Sequence, residues 1–155
     1  MPDWITHIAV AWIIGTLLGL RYKQFNQSNT AIIMVGALIP DIIKISIITN
    51  YLGYNIYNYI TPIHLPIGSI IIVGMITLLF KEKKWIFLFL LIGITTHYLL
   101  DLLLEGEGMT LFYPFYWGQW QLGLTTSQDY TSTIIALSAV ILVYMISRYQ
   151  NRIRG

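Results

Sequence analysis

Long apolar runs dominate the chain, separated by short stretches in which charge, Gly, Pro and Asn collect. Five runs approach the roughly 20 residues that a helix needs to cross a hydrocarbon core. They are Trp4 to Leu20, Ala31 to Thr49, about His64 to Phe80, Trp85 to Leu104 and about Tyr130 to Tyr149. The pattern predicts an all-α fold, an integral membrane bundle of about five transmembrane helices forming a single domain over residues 1–155. The first run sits where a signal peptide would, but no basic segment precedes it and no small-x-small cleavage pattern follows its apolar core, so it is expected to remain as a helix.

Composition agrees with this reading. The chain has 155 residues, 56% of them hydrophobic and only 10% charged, with a mean hydropathy of +0.67, whereas soluble domains average about 25% charged residues. A net charge of +2 gives no footprint for nucleic acid. The absence of cysteine excludes disulfides and thiolate metal sites. Charge also orients the runs. Arg21 and Lys23, then Lys81, Lys83 and Lys84, then Arg148, Arg152 and Arg154 account for eight of the nine basic residues and fall in alternate connections. The positive-inside rule places that side in the cytoplasm. The opposite connections hold Asp3, Glu105, Glu107 and Asp129, which puts the N-terminus outside and the C-terminus in the cytoplasm. Those connections also collect aromatic rings, "YLGYNIYNYI" at 51–60 and "LFYPFYWGQW" at 111–120, as expected of an interfacial belt or of a lip that receives a lipid.

A few polar residues interrupt the apolar runs. "THYLLDLLL" at 96–104 holds His97 and Asp101, and an ionised carboxylate at mid-membrane costs roughly 2.5–3.5 kcal/mol on insertion scales. Counted from the basic connections at about 1.5 Å per residue, His7, Asp41, His64, His97 and Asp101 all fall at heights of roughly 16–26 Å. All three histidines and both aspartates of the apolar runs therefore share one layer in the outer half of the membrane. Three imidazoles and two carboxylates suit a divalent ion, with zinc the leading choice and manganese or magnesium the alternatives. His97 and Asp101, four apart, share a helix face and can ligate together. Taken singly, each residue has a plainer reading. His97 and Asp101 form a self-contained pair, "PDIIK" is a proline kink with a local Asp41–Lys44 ion pair, and His64 and His7 are interfacial polar groups. Glycines 15, 19, 36, 68, 74 and 93 are read as close-packing positions. No phosphate loop, nucleophile elbow or H-E-x-x-H motif competes. "NQS" at 26–28 is a glycosylation sequon on the predicted cytoplasmic side.

In order along the chain, "THIAVAWIIG", "GALIPDI", "PIHLPIGS", "HYLLDLLLEGEG" and "LFYPF" resemble the successive motifs of the YdjM-like family of predicted inner-membrane metal-dependent hydrolases. The resemblance covers roughly residues 5–125. It implies a distant similarity to zinc-dependent phospholipase C, an all-helical enzyme whose His and Asp ligands hold several metal ions and cleave phosphoesters. It carries a metal-ligand role to His7, Asp41, His64, His97 and Asp101, and places Pro114 in the family's loop motif. Ahead of His64 the chain departs from that pattern. "YITPIHL" stands where many members read in a form like HRG-x-THS, so an arginine suited to phosphate is missing and Leu65 replaces a serine.

The combined expectation is a membrane-embedded, divalent-metal-dependent hydrolase that cleaves a phosphoester of a lipid at the extracytoplasmic side. Membrane lipid is then both environment and substrate. Asp41 or Asp101 serves as general base, Lys44 stabilises phosphate charge, and Glu105 and Glu107 stand as alternative ligands or bases. The rival is a small transporter or proton-relay subunit built on the same intramembrane His and Asp, which calls for polar groups across the full membrane thickness.

Overall fold

The computed structural model describes residues 4–103, 105, 108–126 and 130–154, without the side chains of Asn151, Ile153 and Arg154. Asp3, Leu104, Glu107 and Asp129, named above, lie outside the described residues. Seven α-helices follow one another: α1 (Trp4–Gly19), α2 (Gln27–Leu38), α3 (Ile45–Tyr51), α4 (Tyr57–Ile60), α5 (Pro66–Thr77), α6 (Lys83–Asp101) and α7 (Thr131–Arg154). Two 3-10 turns, Pro40–Lys44 and Thr61–His64, are inserted before α3 and after α4. Among the described residues there is no strand, only one isolated antiparallel bridge between Met109 and Trp120.

Two helices are long and apolar enough to cross a membrane, Lys83–Asp101 and the Thr131–Gln150 part of α7. Counting each bent pair as one span raises the number to four. The first expected span, α1, is apolar but has 16 residues, about 24 Å of helix. The second expected span is bent within its length, and the third begins at a sharp bend. Residues 27–51 bend by 47° at Pro40, and residues 57–77 bend by 84° at Pro66. The two bends differ because the residues before the prolines differ. Leu65 takes the extended conformation that a following proline favours, φ −88° and ψ 148°. Ile39 keeps helical angles, φ −56° and ψ −46°, so the chain there tilts into a 3-10 turn without breaking off. At the start of α2, Asn26 is the N-cap, its side chain accepting from the Asn29 amide at 2.9 Å. The "NQS" stretch is thus used locally as a helix start.

The centre of the bundle is the pair α2 and α6, flanked by α1 on α2 and by α5 on α6, with α7 packed on α1. Gly36 and Gly93 allow the central approach. A β-carbon on Gly36 would collide with the Leu90 carbonyl, and one on Gly93 with the Ile33 carbonyl and the Ala37 amide. Ile33, Ala37, Phe89, Leu90 and Ile94 fill the contact. Gly74 does not follow the close-packing expectation, because nothing lies within 4 Å of the β-carbon it lacks. Phe25 packs edge-on against Phe89 at 5.3 Å, which brings the 21–23 and 81–84 basic segments to one end of the bundle. Thr6 and Thr133 are joined through their hydroxyls at 3.0 Å, and Thr16 and Tyr144, further along, line one cavity, so α1 and α7 run side by side in the same direction. Only 11% of the apolar window of α7 is covered by protein, which leaves that helix mainly to lipid.

These contacts predict unequal tolerance of two glycines. Gly93→Val forces apart backbone that cannot yield and should cost about 1–3 kcal/mol, lowering the thermal midpoint in detergent by about 2–12 °C. Gly74→Ala should leave it unchanged, as measured by thermal unfolding followed by size-exclusion chromatography.

Candidate metal centre

At the end of the bundle opposite the basic segments, four separate chain segments converge. His7 comes from the first turns of α1, Asp41 and His64 from the two 3-10 turns, and His97 and Asp101 from the last turns of α6. Each is delivered by local sequence. Pro40 and Pro62 open the 3-10 turns that carry Asp41 and His64 inward, and the four-residue spacing stacks His97 under Asp101. His7 and His97 are 0% exposed, Asp41 2% and Asp101 4%, while His64 is half-buried at the rim.

Asp101 is the hub. Its Oδ2 lies 3.1 Å from His97 Nε2 and 3.5 Å from His64 Nε2, and its Oδ1 lies 3.5 Å from His7 Nε2. The rings of His7 and His97 stack at 4.0 Å with an interplanar angle of 16°, and His64 meets His97 edge-on at 5.6 Å. Two backbone carbonyls decide the chemistry. His97 Nδ1 donates to the Ala37 carbonyl at 2.8 Å and His64 Nδ1 to the Pro40 carbonyl at 3.1 Å. A carbonyl only accepts, so Nδ1 must carry the hydrogen in both rings, and a neutral ring then presents a bare lone pair at Nε2. Those lone pairs point at a carboxylate that also only accepts.

The result is a cluster short of donors, since a neutral His7 brings a single N–H against the facing lone pairs and carboxylate oxygens. His7 Nδ1 and Nε2, Asp41 Oδ1, His97 Nε2 and both Asp101 oxygens are buried without a hydrogen-bond partner. Leaving such a group unmatched costs about 1–3 kcal/mol each, more for a charged one, so this layer calls for a cation or shared protons. The spacing fits a metal ion. Ligand atoms about 2.0–2.2 Å from one ion stand roughly 3.0–3.5 Å apart, the separations seen around Asp101. Two ligand groups with donor atoms within 4.8 Å of one another are present, His7–His97–Asp101 and Asp41–His64–His97, and they share His97. The donor set of imidazole and carboxylate, with the second nitrogens of His64 and His97 anchored on carbonyls, could hold a metal ion.

The structure therefore brings together all five residues singled out by depth. Lys44 does stand three residues from Asp41 as an ion pair, Nζ to Oδ2 at 2.6 Å, with the ammonium 5.6 Å from the Trp4 ring centre. This leaves Asp41 Oδ1 as the oxygen facing the cluster without a partner. Glu105 is exposed and belongs to neither ligand group; Glu107 lies outside the described residues. Pro114 follows a cis peptide bond in the loop after α6 and joins neither group.

Sequence reading missed the support for His64. The Tyr98 hydroxyl donates to the His64 carbonyl at 3.2 Å, and Ser69 donates to the Ile63 carbonyl at 2.6 Å and meets the Tyr98 hydroxyl at 2.7 Å. Ser69 is 0% exposed, so this pair locks the turn that holds the imidazole. The one available signal was a hydroxyl residue three positions beyond Pro66 in an otherwise apolar run.

The model of the YdjM inner membrane protein family matches residues 1–154, and the chain belongs to that family. No curated protein and no solved structure matches it.

The acceptor cluster predicts a metal response. Added zinc should raise the thermal midpoint of metal-stripped protein, since a ligand at 100 times its Kd contributes about 2.7 kcal/mol. His97→Ala removes the residue common to both groups and should abolish the shift, whereas Glu105→Ala should retain it. Elemental analysis and thermal unfolding of the three proteins provide the check.

Proposed function

We propose that this YdjM-family protein is a membrane-embedded, divalent-metal-dependent hydrolase that cleaves a phosphoester of a lipid at the extracytoplasmic side. One observation carries the reading: three imidazole Nε2 atoms meet the Asp101 carboxylate at 3.1–3.5 Å, those of His64 and His97 with their lone pairs turned inward. His7, Asp41, His64, His97 and Asp101 hold the ion, with zinc the first choice and manganese or magnesium the alternatives. The ion supplies Lewis acidity, lowering the pKa of water to about 7 and polarising a phosphoryl oxygen.

The chain's own residues do the rest. His97 and His64 are held in the ligating tautomer by the Ala37 and Pro40 carbonyls. Asp101 or Asp41 accepts the proton of the attacking water. Lys44, on the half-buried side of Asp41, neutralises charge on the phosphoryl group, a duty made heavier by the arginine missing ahead of His64. A lipid suits the site because its head group reaches the cluster from the rim at His64 while its tails stay in the bilayer. The exposed rings of Tyr51, Tyr59, Phe115 and Trp117 offer the interfacial surface that such a substrate would cross. The basic connections at the other end favour an extracytoplasmic face for the cluster.

The proton-relay reading draws on the same contacts, because shared protons also satisfy facing acceptors. The two readings separate on metal dependence. Incubated with mixed phospholipids in detergent micelles, metal-loaded protein is expected to release a head group, and Asp101→Asn and His97→Ala should each lower the rate at least 100-fold. Release unchanged by chelation, or no release by protein that holds stoichiometric metal, would remove the hydrolase reading.

A further inference from the structure

A second polar constellation lies at the other end of the molecule. A cavity of about 930 Å³ opens between α1, α2 and α7. Its lining includes Trp12 and Thr16 of α1, the cap residue Asn26 with Gln27 and Met34 of α2, and Arg148 of α7. His7 lies nine residues before Thr16, a lining residue, roughly 13 Å along α1. The cavity therefore sits at the basic end, away from the Asp101 cluster.

Its chemistry is divided. Arg148 and Arg152, one helical turn apart on the same face of α7, meet Asn26 and Gln27 at the start of α2, whereas Trp12 and Met34 form apolar wall. Arg148 is already oriented, because its Nη1 donates to the Tyr144 hydroxyl at 3.1 Å. Among the described residues no Asp or Glu lines the cavity, and neither arginine forms an ion pair. Two guanidinium forks without a carboxylate are matched by an oxyanion, and phosphate accepts them bidentately. The volume lies at the upper end of the roughly 300–1,000 Å³ of small-molecule sites, enough for a head group together with the first part of an acyl chain. A free anion would leave the apolar wall uncovered in a membrane protein.

We propose that this cavity binds an anionic phospholipid, its phosphate held by Arg148 and Arg152 with Asn26 and Gln27, and its acyl chain lying against Trp12 and Met34. Such a lipid fills the gap between α7 and the α1–α2 pair at the basic end, where α7 otherwise has little protein cover. The site is separate from the metal cluster and does not depend on the function proposed for it.

The test uses the delipidated full chain in neutral detergent, with bound lipid counted by native mass spectrometry and the thermal midpoint followed during titration. Phosphatidylglycerol is expected to bind and raise the midpoint, while phosphatidylcholine binds at least tenfold more weakly. The double variant Arg148→Gln with Arg152→Gln should lose at least tenfold in apparent affinity. Met34→Trp, which fills the apolar wall and leaves both arginines in place, should lose a similar amount, so the proposal remains testable if the double variant does not fold. Asp101→Asn should bind phosphatidylglycerol as the parent does, which separates this site from the cluster. Equal binding by the parent and Met34→Trp, equal preference for the zwitterionic lipid, or full stabilisation by inorganic phosphate alone would overturn the lipid assignment.

Discussion

The arrangement of the whole site depends on one electrostatic constraint: buried acceptors outnumber the donors that face them around Asp101. Left alone, such a layer repels itself in a medium of low dielectric, and the repulsion cannot be relieved by water that the hydrocarbon excludes. It becomes stabilising only when positive charge enters, either as protons or as a metal ion, and then the same low dielectric strengthens every contact. The carbonyls of Ala37 and Pro40 are what make the constraint strict. By fixing the hydrogen on Nδ1 of His97 and His64, they turn two Nε2 lone pairs toward the carboxylate.

The bundle is built to hold that layer in place. The close approach of α2 and α6 at Gly36 and Gly93 brings the last turn of α2 against His97, so that the Ala37 carbonyl can accept from it. A larger residue at either glycine would move the carbonyl away along with the helix. The proline bends serve the same end. A straight α2 would run on past the cluster, and the 3-10 turn at Pro40–Lys44 instead folds Asp41 under it. The larger bend before α5 does this for His64, and Tyr98 with Ser69 fixes its angle. Strongly apolar segments thus supply a rigid frame, and backbone groups freed by prolines and bends supply the second contacts of the ligands.

The two ends of the bundle then divide the polar chemistry between them. Acceptors are concentrated at the end bearing the three histidines, while Arg148 and Arg152 stand at the other, with a mainly apolar core of Ala11, Ile33, Phe89 and Leu90 between. This separation weighs against a continuous proton path within one copy of the chain, and it suits a site that works on material arriving from one face.

Much of this was written in the sequence. Apolar runs and scarce charge determined a helical membrane protein, because residues such as those at 85–100 have no other stable environment. The depth of His7, Asp41, His64, His97 and Asp101 followed from counting along helices, because rise per residue is fixed by backbone geometry. Other features were decided only by tertiary structure. Pro40 and Pro66 are visible in the sequence, but a 47° tilt and an 84° break depend on the conformations of Ile39 and Leu65, which packing selects. The five expected spans accordingly correspond to two full-length helices, two bent pairs and a shorter α1. Gly74 and Gly93 look alike in an apolar run, yet only Gly93 meets a neighbouring backbone. The tautomers of His97 and His64 rest on carbonyls 60 and 24 residues away. Sequence spacing sets which side chains share a height in the membrane, because that is a property of one helix at a time; what faces what at that height is a property of how the helices pack.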